Sequence, residues 1–142
     1  MREKEKCYVY FGTKTSAVLR KDLTIDTMAK EFCENHDYTY EEVKDELQKI
    51  KIGETSNLTG RKNKLRRDGD CTIVNYIEWE GTKAQRFFVE SYVRMKIENS
   101  YSKNVTHFGN DHFKCSNSKI IKAIANHFEQ WALEGLELSK TI

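Results

Sequence analysis

Lys49-Ile-Lys-Ile-Gly-Glu-Thr-Ser-Asn-Leu-Thr-Gly-Arg61 changes its period halfway along. Ile50-Lys-Ile52 alternates apolar and polar residues, the mark of a half-buried strand, and Gly53 is expected to end it. Ser56 or Asn57 can accept hydrogen bonds from the free N–H groups that open a helix. That helix carries Arg61, Lys62, Lys64, Arg66 and Arg67, and Gly69 is expected to close it. If Ile50 and Ile52 face the core, Lys51 faces the opposite side of the sheet, because successive side chains of a strand alternate. Tyr10 is its expected neighbour there.

Upstream, Cys7-Tyr-Val-Tyr-Phe11 is rich in β-formers and is followed by Gly12, which reads as a strand. Between the two strands, Ile25, Met28, Ala29 and Phe32 have helical spacing within Leu23 to Asn35. Thr39 opens a shorter helix, with Glu42 as capping-box partner and Val43 and Leu47 facing inward. Downstream, Cys71 to Trp79 alternates around Ile73, Asn75 and Ile77, with Gly81 after it, and reads as a strand. Thr82 to Asn99 reads as an amphipathic helix with Ala84, Phe87, Phe88, Ser91, Tyr92 and Met95 on its inner face. Asp111 to Cys115 is a short strand. Ser116 then caps a last helix, about 117–135, with Ile120, Ile121, Ile124, Phe128 and Trp131 inward. This order predicts an α/β (α+β) fold. A small central sheet, mixed or antiparallel, is flanked by helices in a single domain over 1–142, with a helical insert after the first strand at about 13–49.

The composition agrees with one folded domain. The chain has 142 residues, 38% of them hydrophobic and 32% charged, with no proline. No apolar run is long enough to cross a bilayer, and MREKEK has no apolar signal region, so no membrane partner and a cytoplasmic location are expected. The four cysteines, Cys7, Cys33, Cys71 and Cys115, lack CxxC spacing and read as reduced, mostly buried thiols. Net charge is only +2, but it is unevenly spread. From Lys49 to Arg67 seven bases stand against Glu54 alone, a net of +6; from Glu31 to Glu46 seven acids stand against Lys44 alone, a net of −6. The basic stretch is suited to phosphates, whose neutralisation releases counterions. The acidic one reads as solvated helix surface.

Three motifs now stand together: Val9-Tyr10; Lys51-Ile-Gly-Glu-Thr-Ser-Asn-Leu-Thr-Gly-Arg61; and Glu90 within the helix Ala84 to Ile97. With the later Gly109-Asn-Asp-His-Phe-Lys114 they resemble the GIY-YIG nuclease superfamily, in the branch common in phages and large DNA viruses. Val9-Tyr10 is similar to the IY of the first motif, Ile52-Gly53 to the IG of the second, and the late segment to a terminal G-x-E-W-F-K. The resemblance covers roughly Cys7 to Cys115. It implies a metal-dependent endonuclease, a hydrolase of DNA phosphodiester bonds. In it Tyr10 activates or positions the attacking water, Arg61 clamps the scissile phosphate, and Glu90 binds one divalent ion, Mg²⁺ (or Mn²⁺). Such chemistry needs a Lewis acid, a cationic clamp and a base. An Arg fork suits phosphate, and a carboxylate is a hard ligand for Mg²⁺.

Several positions depart from the family pattern. Tyr8, with Cys7 before it, stands where the first motif has Gly. Lys51 replaces the Tyr of the second motif and is assigned a role in activating the water. Asp111 and His112 replace Glu and Trp in the terminal signature. Lys62, Lys64, Arg66 and Arg67 are expected to contact DNA phosphates, which position without reading sequence. His112 and Asn110 are supporting candidates. The departures and the long insert favour the alternative, a catalytically weak or inactive nucleic-acid- or protein-binding module on the same fold. A domain this small has little room for a separate reader, so specificity is expected to be low or to come from a homodimer.

Overall fold

A computed structural model describes residues 4–14, 29–31, 33, 34, 37–69, 71–108 and 112–141. Strand β1 (Glu5–Lys14) lies at the heart of the sheet, with strand β2 (Lys49–Thr55) on one side and strand β3 (Cys71–Gly81) on the other. Strands β4 (Val105–Phe108) and β5 (His112–Cys115) extend it beyond β2, in the order β3-β1-β2-β5-β4. Every pairing is antiparallel, so the expected α+β fold with a central sheet takes its antiparallel form. The helices are α1 (Tyr40–Leu47), α2 (Leu58–Gly69), α3 (Lys83–Ser100) and α4 (Ser118–Ser139).

The register explains which residues share a face. Tyr10 lies opposite Gly53 on β2 and Tyr76 on β3, while Phe11 lies opposite Ile52. Val9, Phe11, Ile50, Ile52 and Ile77 point to one side and meet Val89, Val93 and Ile97 of α3 and Ile124, Phe128 and Trp131 of α4. Phe113 and Cys115 of β5 close the same core. Each of these large side chains contributes about 1.5–3 kcal/mol by leaving water. On the other side, Tyr10, Cys71 and Ile73 pack under Leu65 of α2, the one buried residue of that basic helix. A shift in register between Phe11 and Gly12 bends β1 against β3 here. Gly12 is required at the bend, since a Cβ would come within 2.8 Å of Cys71 Sγ.

Caps set the helix starts. Asn57 Oδ1 accepts from the Gly60 N–H at 3.0 Å, so of the two expected caps Asn57 opens α2. Thr82 and Gln85 form a reciprocal capping box at α3. Thr39 Oγ1 accepts from the Glu42 N–H before α1, whose Val43 and Leu47 face inward with Ala29. Of the helix expected over Leu23 to Asn35, residues 29–31, 33 and 34 are helical, and the rest lies outside the described residues.

Several expectations need correction. Gly53 does not end β2; the strand continues to Thr55. β3 runs on through Gly81. The insert is shorter than 13–49, because Thr13 and Lys14 belong to β1 and Lys49 to β2. Asn117, not Ser116, caps α4, accepting from the Ile120 N–H at 3.2 Å, and α4 extends to Ser139. β4 was not foreseen. The largest correction concerns α3. Its buried residues are Arg86, Val89, Val93 and Ile97, whereas Phe87 and Met95 of the expected inner face are each 45% exposed. Apolar residues occupy both sides of α3, so periodicity alone does not choose between them. The branched aliphatic side fits the sheet and α4, Phe87 and Met95 are left outward, and Tyr92 packs against Gly135 at the flank of α4.

Candidate nucleic-acid interface

The face opposite the main core is only partly covered. α2 lies over β3 and β1, with Leu65 inserted between them and Lys62 Nζ 5.5 Å from the centre of the Tyr76 ring. At its far end the Gly69 carbonyl accepts from Lys14 Nζ at 2.8 Å. The main helix neighbours of β2 and β5 are α3 and α4, which lie on the core side.

Alternation places Lys14 of β1, Lys49 and Lys51 of β2, and His112 and Lys114 of β5 on this face. The register sets Lys49 directly opposite Lys114 and Lys51 directly opposite His112. All five are half-buried. Basic side chains gathered on one face suit the phosphates of a polyanion lying across the wing. Lys14, Lys49 and Lys114 are functional candidates that were not singled out from the sequence. Strand alternation would have placed Lys49 beside Lys51, but the pairing of β2 with β5 joins residues more than sixty positions apart.

The basic helix contributes the wall beside this floor. Arg61 precedes Leu65 by one turn on the same side of α2, so it is directed toward the sheet. It is half-buried, and among the described residues no acidic side chain is paired with it. Lys62, Lys64, Arg66 and Arg67 are exposed, Arg67 pairing with its neighbour Asp68 at 3.3 Å. The opposite border is acidic. Glu78 and Glu80 of β3 share the face with Tyr8, whose hydroxyl is held protonated above its usual range by its hydrogen bond to Glu78.

The structure brings Tyr10, Lys51 and Arg61 to this one face. Tyr10 is fully buried, its ring crossing Gly53, where any Cβ would overlap the hydroxyl. Lys51 sits diagonally from it, opposite Gly12. Glu90 is elsewhere. It belongs to α3, which covers the opposite face with Val89 and Val93. Its side chain is 16% exposed and lies 3.5 Å from Arg94 Nη1. It stands one turn from Arg86 and one from Arg94, in a line of alternating charge along α3. Arg86 in turn pairs with Glu54 and Glu5, and the Arg94 guanidinium lies 5.3 Å from the Phe113 ring centre. Asn110 lies outside the described residues.

The Mg²⁺ (or Mn²⁺) that the family resemblance implies does not fit this arrangement. Among the described residues no three His, Cys, Asp or Glu side chains converge. One carboxylate can hold Mg²⁺ only when waters and phosphate oxygens complete the shell, and the cations suited to phosphate lie across the sheet from Glu90. The four cysteines are free, and burial pushes the Cys115 thiol up to about 12. No protein family, curated protein or solved structure matches the chain.

Proposed function

We propose that this chain binds the phosphate backbone of nucleic acid across the wing of the sheet beside α2. The observation that carries this reading is the register setting Lys49 against Lys114 and Lys51 against His112, with the half-buried Arg61 of α2 on the same side of the sheet. Contacts of this kind supply affinity and position without reading bases. The acidic border at Glu78 and Glu80 keeps the polyanion on the β2–β5 side. With free thiols, and no helix among the described residues long and apolar enough to cross a membrane, we place this activity in the cytoplasm, that of the host cell if the chain is phage- or virus-encoded.

A second reading adds hydrolysis. In it the chain is a GIY-YIG-like endonuclease on DNA, with Tyr10 and Lys51 serving the attacking water and Arg61 the phosphate. Its support is the placement of these three residues on one face. Against it stand the full burial of Tyr10 and the position of Glu90, so binding comes first.

Titration of a labelled DNA duplex over a salt series tests the binding. Lys49→Ala, Lys114→Ala and Arg61→Ala are each expected to weaken binding and to reduce the slope of log K against log salt by about 1. An unchanged slope in all three would remove this face. Supercoiled plasmid with Mg²⁺ or Mn²⁺ separates the two readings. Nicking by wild type that is lost in Arg61→Ala and in Tyr10→Phe, with DNA still bound by Tyr10→Phe, establishes hydrolysis. A plasmid left intact while fully bound leaves a binding module.

A further inference from the structure

The outward side of α4 carries a pattern that folding of one chain does not use. Lys119, Asn126, Gln130, Leu133 and Glu137 recur at spacings of seven, four, three and four, which places them in one stripe along the helix. All five are exposed, whereas the buried residues of α4 are Ile124, Phe128, Trp131, Ala132, Gly135 and Ser139, on the other side. Leu133 and Leu138 are each 47% exposed. They border a shallow, mainly apolar groove against Tyr92 of α3, whose ring fills the space left by Gly135.

The charge along this helix is polarised. Lys119 and Lys122 occupy its N-terminal half, and Glu129, Glu134 and Glu137 its C-terminal half. Two copies laid antiparallel about a point at Phe128 would bring Lys119 against Glu137 of the second copy and Asn126 against Gln130, twice by symmetry. A parallel arrangement would set lysine against lysine and glutamate against glutamate. We infer that α4 is a self-association surface that pairs antiparallel with α4 of a second copy of this chain, covering Leu133 and the apolar groove. The present partners of these charges do not oppose it. Glu137 holds Lys140 in an exposed pair, which contributes little. Helix α4 is about 33 Å long, so the contact is below the size of a standard interface and the dimer is weak and concentration-dependent. It also lies on the face away from the basic wing, so both proposed nucleic-acid surfaces stay open. The inference therefore stands or falls separately from the binding proposal.

Sedimentation of the full chain without nucleic acid, over a wide concentration range, reads this out. Wild type is expected to pass from monomer to dimer. Leu133→Asp is expected to weaken association about tenfold or more, with an unchanged melting temperature showing that the fold is intact. Lys119→Glu and Glu137→Lys each replace an attraction with a repulsion and weaken it. The double variant Lys119→Glu/Glu137→Lys restores complementarity and is expected to return to the wild-type constant. A chain that stays monomeric throughout, or a dimer indifferent to Leu133→Asp and Lys119→Glu, overturns the inference. Failure of the double variant to recover overturns the antiparallel pairing.

Discussion

The two faces of the sheet are built on opposite principles from the same strands. On one, Val9, Phe11, Ile52 and Phe113 are sealed by α3 and α4. On the other, the alternate residues of the same strands include Tyr10, Gly12, Lys51 and Lys114, and α2 covers part of them. The first face holds the fold together. The second gathers half-buried basic side chains that the hydrophobic core does not use. Stability and binding are thus expected to respond to different substitutions.

The largest separation comes from the covered face. Phe128 is fully buried and its ring lies 6.0 Å from that of Phe11. Phe128→Ala is expected to cost about 3–5 kcal/mol, read by chemical denaturation, while the salt slope of DNA binding by the fraction still folded is unchanged. A loss below 1 kcal/mol would mean that this side is not the principal core.

Gly53→Ala tests the seam between the faces. The added Cβ overlaps the Tyr10 ring, and the expected cost is about 1–3 kcal/mol. Tyr10→Leu removes the obstacle, so the double variant should be less destabilised than the sum of the two single changes. Simple additivity would show that Tyr10 does not cross Gly53 in solution.

Alkaline pH should weaken the covered face. Burial raises the Cys115 thiol from 9.0 to about 12 in the folded chain. The unfolded chain therefore loses this proton first, and the stability linked to it is complete below pH 9 and falls as pH rises from 9 toward 12. Near pH 10 the loss is about 1.4 kcal/mol. Wild type and Cys115→Ala, unfolded under reducing conditions at pH 8 and pH 10, should differ by about that amount in their pH dependence. Equal dependence would show that the thiol is not held in the core.

The smallest effect on stability belongs to the open face. Lys114→Glu reverses a charge that the register sets opposite Lys49 and is expected to leave stability within about 0.5 kcal/mol of wild type. The same change should weaken DNA binding more than Lys114→Ala does. If both stability and binding are untouched, the wing is not the site.

Glu90 shows why the proposed site was only partly legible. Its spacing within α3 was readable, but which side of α3 faces the sheet was not, since Phe87, Phe88, Tyr92 and Met95 compete with Val89, Val93 and Ile97 for the inner position. Packing settled it in favour of the aliphatic side. Glu90 then became one link in a line of charge with Arg86 and Arg94, on the face opposite Tyr10. Tyr10 and Lys51 were legible as neighbours on one side, because strand alternation is a local rule.

What the order of residues settled unaided was local. The β-formers of Cys7–Phe11, the alternation of Ile50–Ile52, the helix starts near Asn57 and Thr82, the inward stripe of Ile124, Phe128 and Trp131, and the cluster of bases on α2 each depend on neighbours within a few positions. The antiparallel order β3-β1-β2-β5-β4, the hairpin of β4 with β5, and the meeting of Lys49 with Lys114 belong to tertiary structure. Pairing energies between distant segments choose those, through which side chains can be buried together, and a period read along one segment carries no information about the partner it will meet.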